Sequence, residues 1–166
     1  MFTPRKLFFA GFVLCLSMLL IAGYFQFVEH FDPCPLCIIQ RVATFFAGIW
    51  FLIAAIHNPK QTGRRVYSVL ILLTTLFGAA TSIRHVWLQS LPPDQVPSCG
   101  PGLGFMLQNF PLDETLRLVL RGSGECAEVV WRFLGLSIPG WTLVAFVVMI
   151  LIALRQFFYV DKKGWI

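Results

Sequence analysis

The chain has 166 residues, of which 57% are apolar and only 13% are charged, and its mean hydropathy is +0.76. This composition excludes an ordinary soluble domain and predicts an all-α protein that crosses a membrane several times. The formal net charge is +5, but the basic residues sort to one side of the predicted membrane, which argues against a nucleic-acid partner.

Four apolar stretches are long enough to cross a bilayer, which takes about 20 helical residues. We predict one membrane domain over residues 1–166, a four-transmembrane-helix bundle, with spans at about 7–28, 36–56, 66–88 and 140–158. No cleavage pattern closes the first stretch, so we expect it to remain in the mature protein. The Pro- and Gly-rich stretch between the last two spans is expected to form a loop that carries short amphipathic helices. One such helix is predicted by the apolar stripe Leu112, Leu116, Val119 and Leu120, lying either on the membrane surface or against the end of the bundle.

The distribution of charge predicts the orientation. Segments 1–6, 57–65 and 159–166 carry basic residues, including Lys60, Arg64 and Arg65 in an expected basic loop. The positive-inside rule places these segments, and with them both termini, in the cytoplasm. The other connections are 29–35 and 89–139, and they are expected on the opposite, oxidising side.

The first of these outer loops ends in Cys34-Pro35-Leu36-Cys37, at the start of the second span. A helix N-terminus favours a thiolate, and proline suits the first helical turn. Because a disulfide in so small a ring is strained and exchanges readily, we favour a redox-active pair over a structural disulfide. A zinc site would need two further Cys or His ligands at suitable spacing, and the sequence near the other cysteines shows none.

The long outer loop carries Cys99 and Cys126 in Pro- and Gly-rich surroundings. A structural disulfide is the simpler interpretation, and by loop closure it would stabilise the fold by roughly 3 kcal/mol. A reactive pair in the same compartment favours exchange between the two pairs instead. Cys15, inside the first span, is interpreted as a packing residue.

Arg41 follows Cys37 by one helical turn, on the same helix face. A guanidinium within a span costs about 2.5 to 3.5 kcal/mol at mid-bilayer, so it usually marks a function. The alternative is a side chain that extends to the headgroups. We prefer a role in stabilising a thiolate or a reduced, anionic cofactor, and His85 is placed in the same site by its similar depth. The sequence carries no haem, Rossmann or metal-cluster motif, so the electron acceptor is expected to be a lipid-soluble quinone.

Several motifs occur together with the four spans and the CxxC with its following arginine: His85-Val86-Trp87-Leu88-Gln89, Pro97-Ser98-Cys99, Gly124-Glu125-Cys126-Ala127-Glu128, Trp131 and Leu134-Gly135-Leu136. With these motifs the chain resembles the disulfide bond formation protein B family, the bacterial inner-membrane thiol oxidases, along essentially its whole length. It departs from the best-known member at Gln40, where an acidic residue is expected, and at Pro35.

The resemblance implies a thiol:quinone oxidoreductase of the bacterial inner membrane. Such an enzyme reoxidises a periplasmic, DsbA-like dithiol oxidase of the thioredoxin fold and passes the electrons to membrane quinone. The implied quinone is ubiquinone, with menaquinone as its anaerobic counterpart, and Arg41 and His85 match the family's quinone-binding positions. No metal is implied.

The resemblance also implies roles for the four outer cysteines, in the redox-active disulfides Cys34–Cys37 and Cys99–Cys126. Cys99 would form the mixed disulfide with the partner, Cys126 would bridge to Cys34, and Cys37 would face the quinone.

Two alternatives stay open at this point. A vitamin K epoxide reductase-like enzyme shares four spans and quinone chemistry, but its CxxC belongs to the last span rather than the second. A non-catalytic membrane subunit would use its disulfides only to brace the outer loops.

Overall fold

The computed structural model describes residues 3–92, 94–96, 105 and 108–159, and of Leu116 it describes only the backbone. Cys99 lies outside the described residues. So do the basic residues Lys162 and Lys163 of the predicted C-terminal tail.

The described elements are, in chain order, α1 (Pro4–Phe27), α2 (Pro35–His57), α3 (Gln61–Gln89), α4 (Leu112–Arg121), a 3₁₀ turn (Gly124–Cys126), β1 (Arg132–Phe133), β2 (Leu136–Ser137) and α5 (Ile138–Phe158). Within the described residues, α1, α2, α3 and α5 are long and apolar enough to cross a membrane. The predicted fold class, an all-α protein with four transmembrane helices, is therefore confirmed.

Local chemistry explains where the long helices begin and end. Prolines occupy the first turns of α1, α2 and α5, where a missing amide proton costs nothing. Asn58 ends α2 in the left-handed conformation, with φ of 43°. The expected basic loop is wrong in part, because α3 already begins at Gln61 and includes Arg64 and Arg65. Pro59 is the last residue there that breaks a helix, so the helix resumes directly after it.

The four spans pack around an apolar core, with α3 against α5 and α1 and α3 on either side of α2. Phe8, Phe51 and Phe146 are the largest fully buried side chains of this core. Gly78 in α3 faces the ring of Phe146 so closely that an added Cβ would clash with it. The missing side chain of Gly78 thus lets α3 and α5 pack closely.

The amphipathic α4 continues into the 3₁₀ turn that carries Cys126. Its C-terminal half packs on the bundle: Val119 is 3% exposed, and the carbonyl of Arg121 accepts a hydrogen bond of 3.1 Å from Arg84 of α3. Its first residue, Leu112, is 78% exposed. This helix was predicted to lie either on the membrane surface or against the end of the bundle. Its C-terminal half packs against the end of the bundle.

A short antiparallel hairpin precedes α5 and was not predicted. It pairs Arg132 with Ser137 and Phe133 with Leu136. Leu134 and Gly135 form its turn with φ of 51° and 81°, the positive values that two-residue hairpin turns require. Trp141 of α5 donates a 3.1 Å hydrogen bond to the carbonyl of Phe133, which fixes the hairpin on the bundle.

Candidate active site

The CxxC stands where the sequence places it, at the N-terminus of α2. Cys34 is the N-cap residue, with an extended backbone (φ −63°, ψ 160°), and Pro35 opens the helix. Both cysteines are free thiols, and their sulfur atoms lie 3.2 Å apart. The pair is therefore held at hydrogen-bonding distance, ready to close into a disulfide when it loses two electrons.

His85 of α3 lies directly against this pair. Its Nε2 is 3.7 Å from the sulfur of Cys34, and its Nδ1 is 4.0 Å from the sulfur of Cys37. The side-chain nitrogen of Gln40 lies 3.4 Å from the same Nδ1. The imidazole is only 2% exposed, so it meets these two thiols and the amide inside the protein, away from solvent.

Cys126 reaches the same thiols from the long loop. It is completely buried and packs with Cys34, Leu36 and Leu88. A hydrogen bond with Cys34 and burial both raise the pKa of the Cys126 thiol, against a smaller opposing contribution from the backbone of Ser123. Cys126 thus packs with Cys34, whose sulfur lies 3.2 Å from that of Cys37, so among the described cysteines Cys34 links the loop to the helix.

Because Cys99 lies outside the described residues, its disulfide with Cys126 and its contact with a partner stay predictions. The described part of the loop does bring Cys126 to Cys34.

Arg41 is held by hydrogen bonds to α1. Its guanidinium donates one hydrogen bond to Oε1 of Gln26 and another, of 3.1 Å, to the carbonyl of Ala22. Sequence reasoning missed Gln26, although an amide in the last two turns of an otherwise apolar span was the available signal. The guanidinium is fixed by two acceptors from the neighbouring helix, as a positioned functional group would be.

Arg41 and Cys37 line one cavity of about 110 Å³ between α1, α2 and α5. Asp32, Gln40, Thr44 and Thr142 add polar groups to a wall that is otherwise mostly apolar. His85 is not among the residues that line this cavity. His85 and Arg41, which their similar depth placed in one site, therefore lie in two neighbouring environments. His85 contacts the thiols, and Arg41 faces the cavity.

A second, larger groove of about 350 Å³ adjoins this cavity. Aromatic side chains of the hairpin region form one wall, and α1 forms the other. The groove and the cavity share the lining residues Met18, Ala22, Phe25, Ile138 and Thr142. A flat headgroup in the cavity could therefore carry an apolar tail into the groove.

Near the other cysteines in the sequence, no Cys or His lies at the spacing of a zinc site, but ligands can also come together from different helices. In the structure, one ligand atom each from Cys34, Cys37 and His85 lies within 4.8 Å of the other two. The tertiary fold supplies the histidine that the spacing of the motif did not.

Comparison with known proteins agrees with this geometry. Residues 4–156 match the family model described as disulfide bond formation protein DsbB. A disulfide bond formation protein B from Nitrosococcus oceani is 65% identical, covering 92% of this chain and 90% of its own length. Proteins of the same name from Hahella chejuensis and Methylococcus capsulatus are 57% and 47% identical, over 87% and 96% of this chain and 88% and 98% of their own lengths. The chain therefore belongs to the DsbB family of disulfide bond formation proteins, and it is an oxidoreductase.

Proposed function

We propose that this oxidoreductase reoxidises a periplasmic, DsbA-like dithiol protein and passes the electrons to a quinone in the bacterial inner membrane. One observation carries the proposal: Cys34 contacts Cys126 on the loop side and Cys37 on the helix side, and Cys37 lines the Arg41 cavity. A continuous series of sulfur contacts thus leads from the outer loop to a cavity between transmembrane helices.

The thiol chemistry follows from these contacts by successive exchange. A partner thiolate attacks Cys99 of the Cys99–Cys126 disulfide, and the released Cys126 attacks Cys34 of the Cys34–Cys37 disulfide, so that Cys37 leaves as a thiolate. The second partner thiol then resolves the mixed disulfide at Cys99. The freed Cys99 attacks Cys126, which re-forms Cys99–Cys126 and releases Cys34. Two electrons have moved from the partner dithiol to Cys34 and Cys37.

The cavity suits a quinone. A bound quinone supplies an acceptor for two electrons and two protons. Arg41, fixed by Gln26 and Ala22, brings positive charge and N–H donors to the cavity. The carbonyl oxygens of a flat ring bound there can accept hydrogen bonds from these donors. The adjoining groove offers an apolar surface for an isoprenoid tail. We propose ubiquinone as the acceptor, with menaquinone replacing it under anaerobic conditions.

We propose that the cysteine end of the bundle faces the periplasm and that both termini face the cytoplasm. Two considerations support this orientation. Arg5, Lys60, Arg64 and Arg65 all lie at the opposite end of the described helices. Disulfide exchange also requires an oxidising compartment. Labelling of a reporter cysteine introduced at Asp94 or Asn58 with a membrane-impermeant reagent tests it: only the reporter at residue 94 should react in intact spheroplasts.

The substitution Cys37→Ser tests the electron route. With a reduced thioredoxin-fold protein as donor, the variant should form a mixed disulfide with the donor but should not reduce quinone. Cys15→Ala is the matched control, because Cys15 is a buried cysteine of α1 that bonds to Met149 within the apolar core, away from the CxxC. Quinone reduction at the normal rate by Cys37→Ser would refute the assignment of Cys37.

Titration in graded thiol buffers separates this function from a purely structural role of the disulfides. A working Cys34–Cys37 pair should be reduced at a potential more oxidising than about −300 mV, whereas bracing disulfides resist reduction to lower potentials. Membership of the DsbB family already favours this enzyme over the vitamin K epoxide reductase-like alternative.

A further inference from the structure

We propose that the fully reduced protein binds a soft divalent cation, Zn²⁺ in particular, at Cys34, Cys37 and His85, and that this binding reversibly arrests the enzyme. Binding of the cation depends on the geometry alone. The arrest rests on the proposed function, because it assumes that these thiols carry the electrons.

The distances between the ligand atoms are close to those of a tetrahedral zinc site. Two thiolates at about 2.3 Å from zinc lie roughly 3.7 Å apart, and a thiolate and an imidazole nitrogen lie slightly closer. Here Cys34 Sγ is 3.7 Å from His85 Nε2 and 3.2 Å from Cys37 Sγ. One ligand atom from each of the three residues lies within 4.8 Å of the other two, so side-chain rotations of Cys37 and His85 that bring these separations to about 3.7 Å complete a three-ligand site.

A fourth thiol lies nearby, and an outer partner is in place. Cys126 is completely buried and packs with Cys34, so its thiol is the candidate for the remaining tetrahedral position. Gln40 lies 3.4 Å from Nδ1 of His85, the ring nitrogen that does not ligate. With its amide turned so that Oε1 accepts, Gln40 would orient the imidazole as outer partners of metal-bound histidines do.

The site exists only in one redox state. Zn²⁺ displaces the thiol protons of the bound cysteines and takes no electrons, so the reaction is an exchange of protons for the cation. In the oxidised protein the sulfur atoms of Cys34 and Cys37 are bonded to each other and cannot serve as thiolate ligands. The cation therefore competes with oxidation: it holds the protein in the reduced form and blocks both quinone reduction and exchange with Cys126.

Cobalt spectroscopy on the full chain in detergent tests the binding. The protein is reduced with a phosphine, which leaves the thiols free for metal, and is titrated with Co²⁺ and then with Zn²⁺. The expected result is the visible absorption of tetrahedral cobalt with thiolate ligands, lost when Zn²⁺ displaces the Co²⁺. The same titration of the disulfide form should give no such absorption, and Cys15→Ala, a cysteine outside the site, should behave as the unchanged protein does.

His85→Gln is the decisive variant, because two thiols alone already bind soft metals. Loss of the imidazole should weaken cobalt binding by more than about tenfold. Equal affinity in His85→Gln, or absorption by the oxidised protein, overturns the proposed site. Should cobalt bind while Zn²⁺ leaves quinone reduction unchanged, the arrest is refuted and the site stands. If the protein reduces no quinone in the absence of added metal but still binds cobalt when cobalt is added, the proposed function fails and the metal site survives.

Discussion

The guanidinium of Arg41 in α2 is hydrogen-bonded to the side-chain oxygen of Gln26 in α1. A second bond, to the carbonyl of Ala22, fixes the same group from one helical turn away. Because the two acceptors belong to the helix that forms the opposite wall of the cavity, the position of the charge depends on α1 as much as on α2.

Gln26→Ala should therefore impair the use of quinone without touching any sulfur. We expect the KM for quinone to rise by roughly tenfold to a hundredfold, because the guanidinium loses one of its two fixed acceptors. Exchange between the partner dithiol and Cys126 should continue at its normal rate. Steady-state kinetics with varied quinone, together with gel trapping of the mixed disulfide, measure the two steps separately.

Ser17→Ala is the matched control for that experiment, because Ser17 also lies in α1 but its hydroxyl donates to the carbonyl of Leu14 in its own helix. Arg41→Ala should show a larger loss than Gln26→Ala, since it removes the charge itself. A normal KM in both Arg41→Ala and Gln26→Ala would show that the cavity is not the quinone site.

The raised pKa of Cys126 predicts a pH dependence of stability in the reduced protein. A thiol whose pKa is higher in the folded than in the unfolded state binds its proton more tightly when folded. Its contribution to stability is therefore complete below the ordinary pKa of 9.0 and is lost as the pH rises toward the folded value. Thermal unfolding in detergent should show this loss above pH 9.0, by at most about 1.4 kcal/mol per pH unit.

Cys126→Ser isolates this contribution, because the hydroxyl does not titrate in the range. The difference in unfolding free energy between the two proteins should narrow with rising pH. A difference that stays constant up to about pH 10 would mean that Cys126 has an ordinary pKa in the folded protein.

Gly78→Ala should destabilise the bundle by about 1 to 3 kcal/mol, as overpacking of a close-packed interior does. The new methyl group would meet the ring of Phe146, which is itself fully buried. Thermal unfolding measures the effect, and Gly23→Ala in α1 provides the comparison, because a Cβ there meets nothing within 4 Å. The double variant Gly78→Ala/Phe146→Leu should recover part of the loss. Equal unfolding temperatures for the two alanine variants would contradict the close contact of α3 and α5.

Phe133→Ala should raise the KM for a long-tailed quinone several-fold and leave that for a tail-less analogue unchanged. The reason is that Phe133 lines the groove and not the cavity that holds Cys37 and Arg41. Comparing the two acceptors in one preparation provides an internal reference. Phe45→Ala removes an equally exposed aromatic ring from α2, outside the groove, and should change neither value. An equal rise in the KM for both acceptors would show that the tail does not bind in this groove.

The sequence predicted well the features that depend on local chemistry. Apolar run length determined the four spans, and the proline of the CxxC indicated the helix start that makes Cys34 the N-cap of α2. The segment 61–65 was misassigned because its charges were interpreted as a loop, although no residue in it prevents a helix. The hairpin at 132–137 was missed because it contains only two residue pairs and depends on positive φ at Leu134 and Gly135.

The contacts that give the site its chemistry depend on how separate helices pack. His85 and Cys34 are 51 positions apart, and only the packing of α3 on α2 brings Nε2 within 3.7 Å of the sulfur. Sequence reasoning could assign His85 a depth but not a neighbour. The bond from Arg41 to Gln26 has the same origin, in the interface of α1 and α2.

The groove beside the hairpin also determines how fast such an enzyme can be supplied with its electron acceptor. Two of the residues that line it, Ile21 of α1 and Phe133 of the hairpin, remain 57% and 53% exposed. A molecule held there therefore stays in contact with the surrounding lipid. Its ligand would arrive by lateral diffusion within one leaflet, without crossing water. Turnover would then follow the number of acceptor molecules per unit of membrane area, so the content of the lipid phase would limit the rate of disulfide formation.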